Sequence, residues 1–166
     1  MMARMAAWAQ AFGPVRTAFL ASLLLSFVAA QGHLVNRDGI YYLETARAFL
    51  EDGWLAGWKA GEWPFLPMLI TALSFVTKVS LETTAQMLNA LFLAGTCALL
   101  TGITRRRLPE AAWLACLVVL AMPAYNQYRN EILREYGFWF FSMLAFWLAM
   151  RWAESSRWRD VIACQC

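Results

Sequence analysis

The chain has 166 residues, 61% of them hydrophobic, 15% aromatic and 15% charged, with a formal net charge of +3 and a mean hydropathy of +0.47. A water-soluble domain carries roughly half apolar and about a quarter charged residues, so this composition excludes an ordinary soluble domain and points to an integral membrane protein. The charge excess is too small to argue for a nucleic-acid partner, whereas nine Trp and eleven Phe suit helices with aromatic belts at both interfaces.

The first apolar run, about Val15 to Ala30, follows Arg4 and Arg16 and is read as a membrane span. Arg4, Arg16, the apolar run and "VAA" also fit a signal peptide cleaved after Ala30; the remainder is a membrane protein either way. Next comes "NRDGIYYLETARAFLEDGW", Asn36 to Trp54. Tyr42, Leu43, Ala46, Phe49 and Leu50 fall at helix positions i, i+1, i+4, i+7 and i+8, with Glu44, Arg47 and Glu51 opposite and able to pair. This is an amphipathic helix lying along the outer membrane surface. Asp38 is a good N-cap, and Gly39 gives the turn backbone freedom. A capping role for Asp38 competes with a chemical one. A carboxylate only a few residues past a span is expected to be partly desolvated, which favours a base.

"PFLPMLITALSFVTKV", Pro64 to Val79, covers about 24 Å at 1.5 Å per residue, short of a hydrocarbon core of about 30 Å. Thr71, Ser74, Thr77 and Lys78 line one side, so the segment is an interfacial or re-entrant helix. Lys78 is placed to snorkel or to bind an anionic head group. "SLET" starts the second span, about Ala85 to Ile103, with Ser80 as cap and Glu82 in the first turn. The third span is about Leu108 to Tyr125 and the fourth about Tyr136 to Trp152. Between them "YNQYRNEILREYGFW" carries Arg129, Glu131, Arg134 and Glu135. These form either a self-neutralising ion-pair cluster or a carboxylate with guanidiniums that clamp a phosphate.

If Pro64–Val79 does not span, Arg4, Arg16, Arg105, Arg106, Arg107, Arg151, Arg157 and Arg159 all lie on one side, as the positive-inside rule demands. The expected architecture is therefore all-α: four transmembrane helices with amphipathic juxtamembrane helices, both termini cytoplasmic. A long first outer loop covers about residues 31–84 and a short second one about residues 124–136. Cys97 and Cys116 sit in apolar runs as small hydrophobes, Cys164 and Cys166 in the tail. There is no zinc spacing, and the single His33 is an interfacial polar residue rather than a ligand. The ending "VIACQC" closes no helix or domain and reads as a truncation.

Taken in order, a first span, "RDGIYYLETARAFLEDGW", "WPFLPMLITALSFV", "AQMLNALFLAGTCALLTGITRRR" and an outer loop ending in an acidic residue resemble the N-terminal part of GT-C glycosyltransferases. The nearest group is the bacterial branch related to protein O-mannosyltransferases and lipid A aminoarabinose transferases. The resemblance covers most of the chain and rests on order and placement rather than on one sharp signature. It implies sugar transfer, with inversion, from a polyprenyl-phosphate carrier to a lipid, protein or glycan acceptor, at the periplasmic face of the bacterial inner membrane. Asp38 matches the family's acidic residue after the first span, followed by an aromatic, Tyr41 or Tyr42, and a helix ending near Gly53. Glu135, with Glu131 second, matches the acidic residue before the fourth span. On this reading Asp38 is the general base or holds the acceptor. Glu135 holds the acceptor or a metal ion, or orients Asp38. Arg129 and Arg134 neutralise the carrier phosphate, with Lys78 a further phosphate contact, and the spans take the polyprenyl tail. A divalent cation would suit two carboxylates, but no ligand set is visible. Family members are much longer, which casts residues 1–166 as one transmembrane region at the N-terminus of a larger module. The rival reading is a non-enzymatic four-helix subunit or scaffold whose outer charges are merely interfacial.

Overall fold

A computed structural model describes residues 2–31 and 35–155, and among these residues there is helix, turn and loop but no strand. His33, Arg157, Arg159, Cys164, Cys166 and the "VIACQC" ending lie outside the described residues. Helix α1, Met2–Ala29, is broken at Gly13, whose φ of 68° is left-handed, and Pro14 opens the second half. Glycine adopts that φ without a Cβ penalty, and proline is preset for a first helical turn. From Phe12 to Ala29 the helix is long and apolar enough to cross a membrane, and so is α5, Leu81–Arg107. Ser80 caps α5 as its sequence suggests, its Oγ accepting from the Thr83 N–H at 3.2 Å. Glu82 in the first turn and Arg105, Arg106 and Arg107 in the last complement the helix dipole.

The third expected span is not one helix. A 3-10 turn at Pro109–Ala111 leads into α6, Ala112–Ala121, and then into α7, Pro123–Gln127. The break falls at Met122, in an extended conformation with ψ 118°. Pro123 cannot donate a backbone hydrogen bond and keeps the residue before it out of helical geometry. The ten residues of α6 cover about 15 Å, half a hydrocarbon core. Helix α8, Glu135–Ser155, has the length of a span, but Tyr136, its tryptophans and its charged residues interrupt it, and it is not among the helices apolar enough throughout to cross a membrane.

Close contacts orient these helices. Arg105 lies over the Gly13 kink and Val15 over Gly102, so α1 and α5 run antiparallel. The Phe140 ring occupies the space that a side chain at Gly95 would fill, and Phe92 faces Gly137. Farther along, Glu154 pairs with Arg106 and, at 3.1 Å, with Arg107. Helices α5 and α8 are therefore parallel, and the arginine cluster sits at one end of the bundle, with the α1–α5 and α7–α8 connections at the other. Leu20, Leu24 and Phe27 of α1, Leu114, Leu117 and Val118 of α6, and Phe138 and Phe146 of α8 are exposed. Apolar exposure on this scale marks a surface made for lipid or protein rather than water.

The segment between α1 and α5 folds onto the bundle. Helix α2, Arg37–Glu51, is amphipathic as expected, with Tyr42, Ala46 and Phe49 buried and a Glu44–Arg47 ion pair of 2.7 Å outside. The buried stripe takes in Thr45 and leaves Leu50 exposed. Asp38 is not the N-cap: Asn36 occupies that position, and Asp38 lies in the first turn. Gly39 has no positive φ; it is needed for close approach, because a Cβ there would lie 2.5 Å from Asn36 Oδ1 and 3.0 Å from Ile132 Cβ. Helix α3, Trp54–Ala60, turns back on α2 with Gly57 under the Phe49 ring, where a Cβ would lie 2.2 Å from Phe49 Cγ. Helix α4, Phe65–Thr77, has 13 residues, about 20 Å, too short to span. The Thr71 hydroxyl donates to the Ala46 carbonyl at 3.0 Å and ties α4 to α2.

The shared end of the arginine cluster predicts a labelling pattern. In a variant lacking the native cysteines, an impermeant thiol reagent added to intact cells should label Lys78→Cys and Glu82→Cys and leave Arg106→Cys protected. Protection at Lys78→Cys with labelling at Arg106→Cys would invert the arrangement.

Candidate functional site

The second loop leaves α7 at Tyr128 and enters α8 at Glu135, with no regular helix between. Its backbone polar groups therefore need partners from elsewhere, and side chains of other helices supply them. Asn36 serves Ile132 twice: its Oδ1 accepts from the Ile132 N–H at 3.0 Å, and its Nδ2 donates to the Ile132 carbonyl at 3.5 Å. Asn89 of α5 donates from Nδ2 to the Glu131 carbonyl at 3.2 Å. The Tyr136 hydroxyl donates to the Tyr128 carbonyl at 2.5 Å. The Ile132 side chain, 1% exposed, closes an apolar cluster with Tyr42, Leu66, Ile70 and Leu88.

Arg129 pins the same loop to α1. It is 7% exposed. Its Nη1 donates to the Ser22 carbonyl at 3.1 Å and to the Ser22 and Ser26 hydroxyls at 3.0 Å each, and its Nε donates to Asn126 Oδ1 at 2.7 Å. Among the described residues it has no carboxylate partner, and Nη2 has no hydrogen-bond partner. Burial lowers its pKa from the ordinary value, opposed by Cys97 and Tyr136; a guanidinium nonetheless stays charged at neutral pH. Arg129, expected to share the carrier phosphate with Arg134, thus turns its Nη1 to the serines of α1.

Arg134 points elsewhere. Its guanidinium carbon lies 4.5 Å from the centre of the Trp63 ring, and its Nε is 3.5 Å from Glu135 Oε1. The two side chains are 41% and 46% exposed, so the ion pair is loose and most of the guanidinium's donors stay available. Both residues edge a groove of about 840 Å³ between α3, α4, α5 and α8. Trp58, Trp63, Phe65, Phe92, Phe138 and Phe141 line it, with Ser142 a further polar group. Stacking on Trp63 holds the guanidinium at the groove's edge and costs it none of its in-plane donors.

Behind this edge stands Tyr42, 5% exposed. Burial pushes its phenol up from the usual value, the Arg134 charge pulls it down, and the charges of Glu135 and Asp38 push it up. Asp38, Arg134 and Glu135, from two loops far apart in sequence, thus act on one hydroxyl. Asp38 itself is exposed and makes no hydrogen bond or ion pair among the described residues.

The remaining predicted residues are not gathered here. The Glu131 carboxylate pairs with neither Arg129 nor Arg134. Lys78, with its φ of 60°, caps the end of α4 opposite the groove-lining Phe65 and lies over the Phe75 ring at 4.3 Å. No three His, Cys, Asp or Glu side chains among the described residues come together as a metal-ligand set. Asn36 and Asn89 hold the loop before α8 and Trp63 holds Arg134, and no periodic sequence pattern singles out these three residues. Asn89 did carry a signal, because an amide inside an apolar run must find a polar partner. The protein-family models, the curated proteins and the solved structures contain no match to this chain.

Proposed function

We propose that the chain forms the carrier-binding region of a polyprenyl-phosphate-sugar-dependent glycosyltransferase of GT-C type, acting at the periplasmic face of the bacterial inner membrane with four membrane crossings. The resemblance in order and placement supplies the reaction class. One observation carries the reading to this chain: an aromatic groove whose polar edge is an accessible, Trp63-stacked guanidinium beside a carboxylate. An amphiphile with an apolar tail and an anionic head suits that combination, and few other small ligands do.

In the proposed reaction the polyprenyl tail lies along the groove and Arg134 holds the carrier phosphate. The acceptor hydroxyl or amine attacks the anomeric carbon from the face opposite the phosphate, its proton passing to Asp38. The bond from the anomeric carbon to the phosphate oxygen breaks, and its electron pair leaves with the phosphate. Arg134 meets the charge that develops there, where electrostatic stabilisation is most valuable. Glu135 holds Arg134 in place and orients the acceptor.

Asp38→Asn tests the base. Asparagine keeps the size and the exposed position but cannot take a proton. Sugar release from a polyprenyl-phosphate donor in liposomes should fall by about 10²–10⁴-fold, with carrier binding unchanged. Near-normal turnover in Asp38→Asn would remove Asp38 from the chemistry. Neither carrier binding nor release by the wild-type chain would leave the scaffold reading, which the purely structural use of Arg129 favours.

A further inference from the structure

Asp38 and the Arg134–Glu135 pair belong to different outer loops, and a reaction that uses both requires their spacing to be held. Helix α2 supplies none of the usual means at its start, for Asn36 makes no capping bond to its own helix. The amide instead reaches across to the second loop and takes both backbone groups of Ile132. The shorter bond, 3.0 Å from the Ile132 N–H to Oδ1, is well within hydrogen-bonding range and is the stronger of the two. Gly39 gives an independent sign of the same device. Its missing side chain is what lets the first turn of α2 close over the Asn36 amide and Ile132, and any Cβ there would drive the three apart. Asp38 lies between Asn36 and Gly39 in sequence, three positions before Tyr41. On the far side, Arg134 follows Ile132 by two residues.

We propose that Asn36 is a positioning residue: by splinting the Ile132 peptide to the start of α2, it sets Asp38 against the Arg134–Glu135 pair. This rests on the proposed function for its purpose, but the splint itself can be read without any carrier. The Tyr42 ring, which feels the charges on both sides of the junction, is the reporter.

The test places 3-fluorotyrosine at position 42 of the whole chain in lipid nanodiscs and follows its ¹⁹F resonance with and without Arg134→Gln. In the otherwise wild-type chain, Arg134→Gln should displace the resonance. In Asn36→Ala that displacement should be lost while the helical signal persists, because α2 no longer holds its register against loop 2. Asn36→Asp keeps the acceptor for the Ile132 N–H and should retain the displacement. A merely stabilising Asn36 would lower the melting temperature in Asn36→Ala and leave the native-state coupling intact, and that result overturns the proposal. So does an Asn36→Asp chain that loses the coupling as completely as Asn36→Ala. Should Asn36→Ala fail to fold, Asn36→Asp and Gly39→Ala decide: the first must keep the coupling and the second must weaken it. In a parallel arm, affinity for a polyprenyl phosphate should fall about fivefold in Asn36→Ala, the worth of one net hydrogen bond. Loss of carrier binding by the wild-type chain would sink the proposed function and leave the ¹⁹F result standing.

Discussion

Arg134→Ala should weaken binding of a polyprenyl phosphate by about 10- to 100-fold, the range set by about 1.5–3 kcal/mol for hydrogen bonds to a charged group. The groove's aromatic walls remain, so the tail keeps its apolar contacts, and a prenyl alcohol of the same length should bind both chains alike. The difference isolates the head group. Arg134→Lys should recover only part of the loss, because an ammonium presents a point charge where the guanidinium presents a planar fork and stacks on Trp63 at 4.5 Å. Equal phosphate affinity in the wild-type and Arg134→Ala chains, measured by microscale thermophoresis in detergent, would remove the phosphate from this edge of the groove.

Arg129→Ala should do the reverse: little to the charge at the groove and much to stability, a loss of about 2–5 kcal/mol. Its four hydrogen bonds reach Asn126, Ser22 and Ser26, and truncation orphans the buried hydroxyls of Ser22 and Ser26 as well as emptying the space the side chain fills. The lost stability should show as a lower unfolding temperature in detergent, followed by circular dichroism, whereas Arg134→Ala, at an exposed position, should unfold almost as the wild type does. An Arg129→Ala chain with an unchanged transition would mean that α1 is held to loop 2 by packing alone.

The pair shows what the sequence could and could not supply. Arg129 and Arg134 are the same residue type, five positions apart in one polar loop, and both invite the same reading as phosphate ligands. Their directions diverge because the loop between α7 and α8 has no period, and periodicity is the source of every facing argument made from sequence. Where a period exists the reading carries through: α2 buries Tyr42, Ala46 and Phe49 and leaves Glu44 and Arg47 outside, and Ser80 caps α5. Pro123 was visible inside the third apolar run, yet hydropathy averages over a window and does not register a missing N–H, so the run reads as one span and folds as α6 and α7. Asn and Asp serve equally well as N-caps by type, so composition did not separate Asp38 from Asn36; Asn36 holds the position and turns its amide, which can both donate and accept, to Ile132. No local pattern encodes a partner on another loop.

The proposal stands on a polyprenyl phosphate lying in the aromatic groove with its phosphate at Arg134. The most direct measurement is photocrosslinking with a polyprenyl phosphate carrying a diazirine in the first isoprene unit, the adducts mapped by mass spectrometry on the wild-type and Arg134→Ala chains. The account predicts adducts on the segments holding Trp58, Trp63, Phe138 and Phe141, strongly reduced in Arg134→Ala and competed away by unlabelled carrier. Adducts concentrated instead on the exposed α6 face at Leu114 and Leu117, unaffected by Arg134→Ala or by competitor, would contradict it.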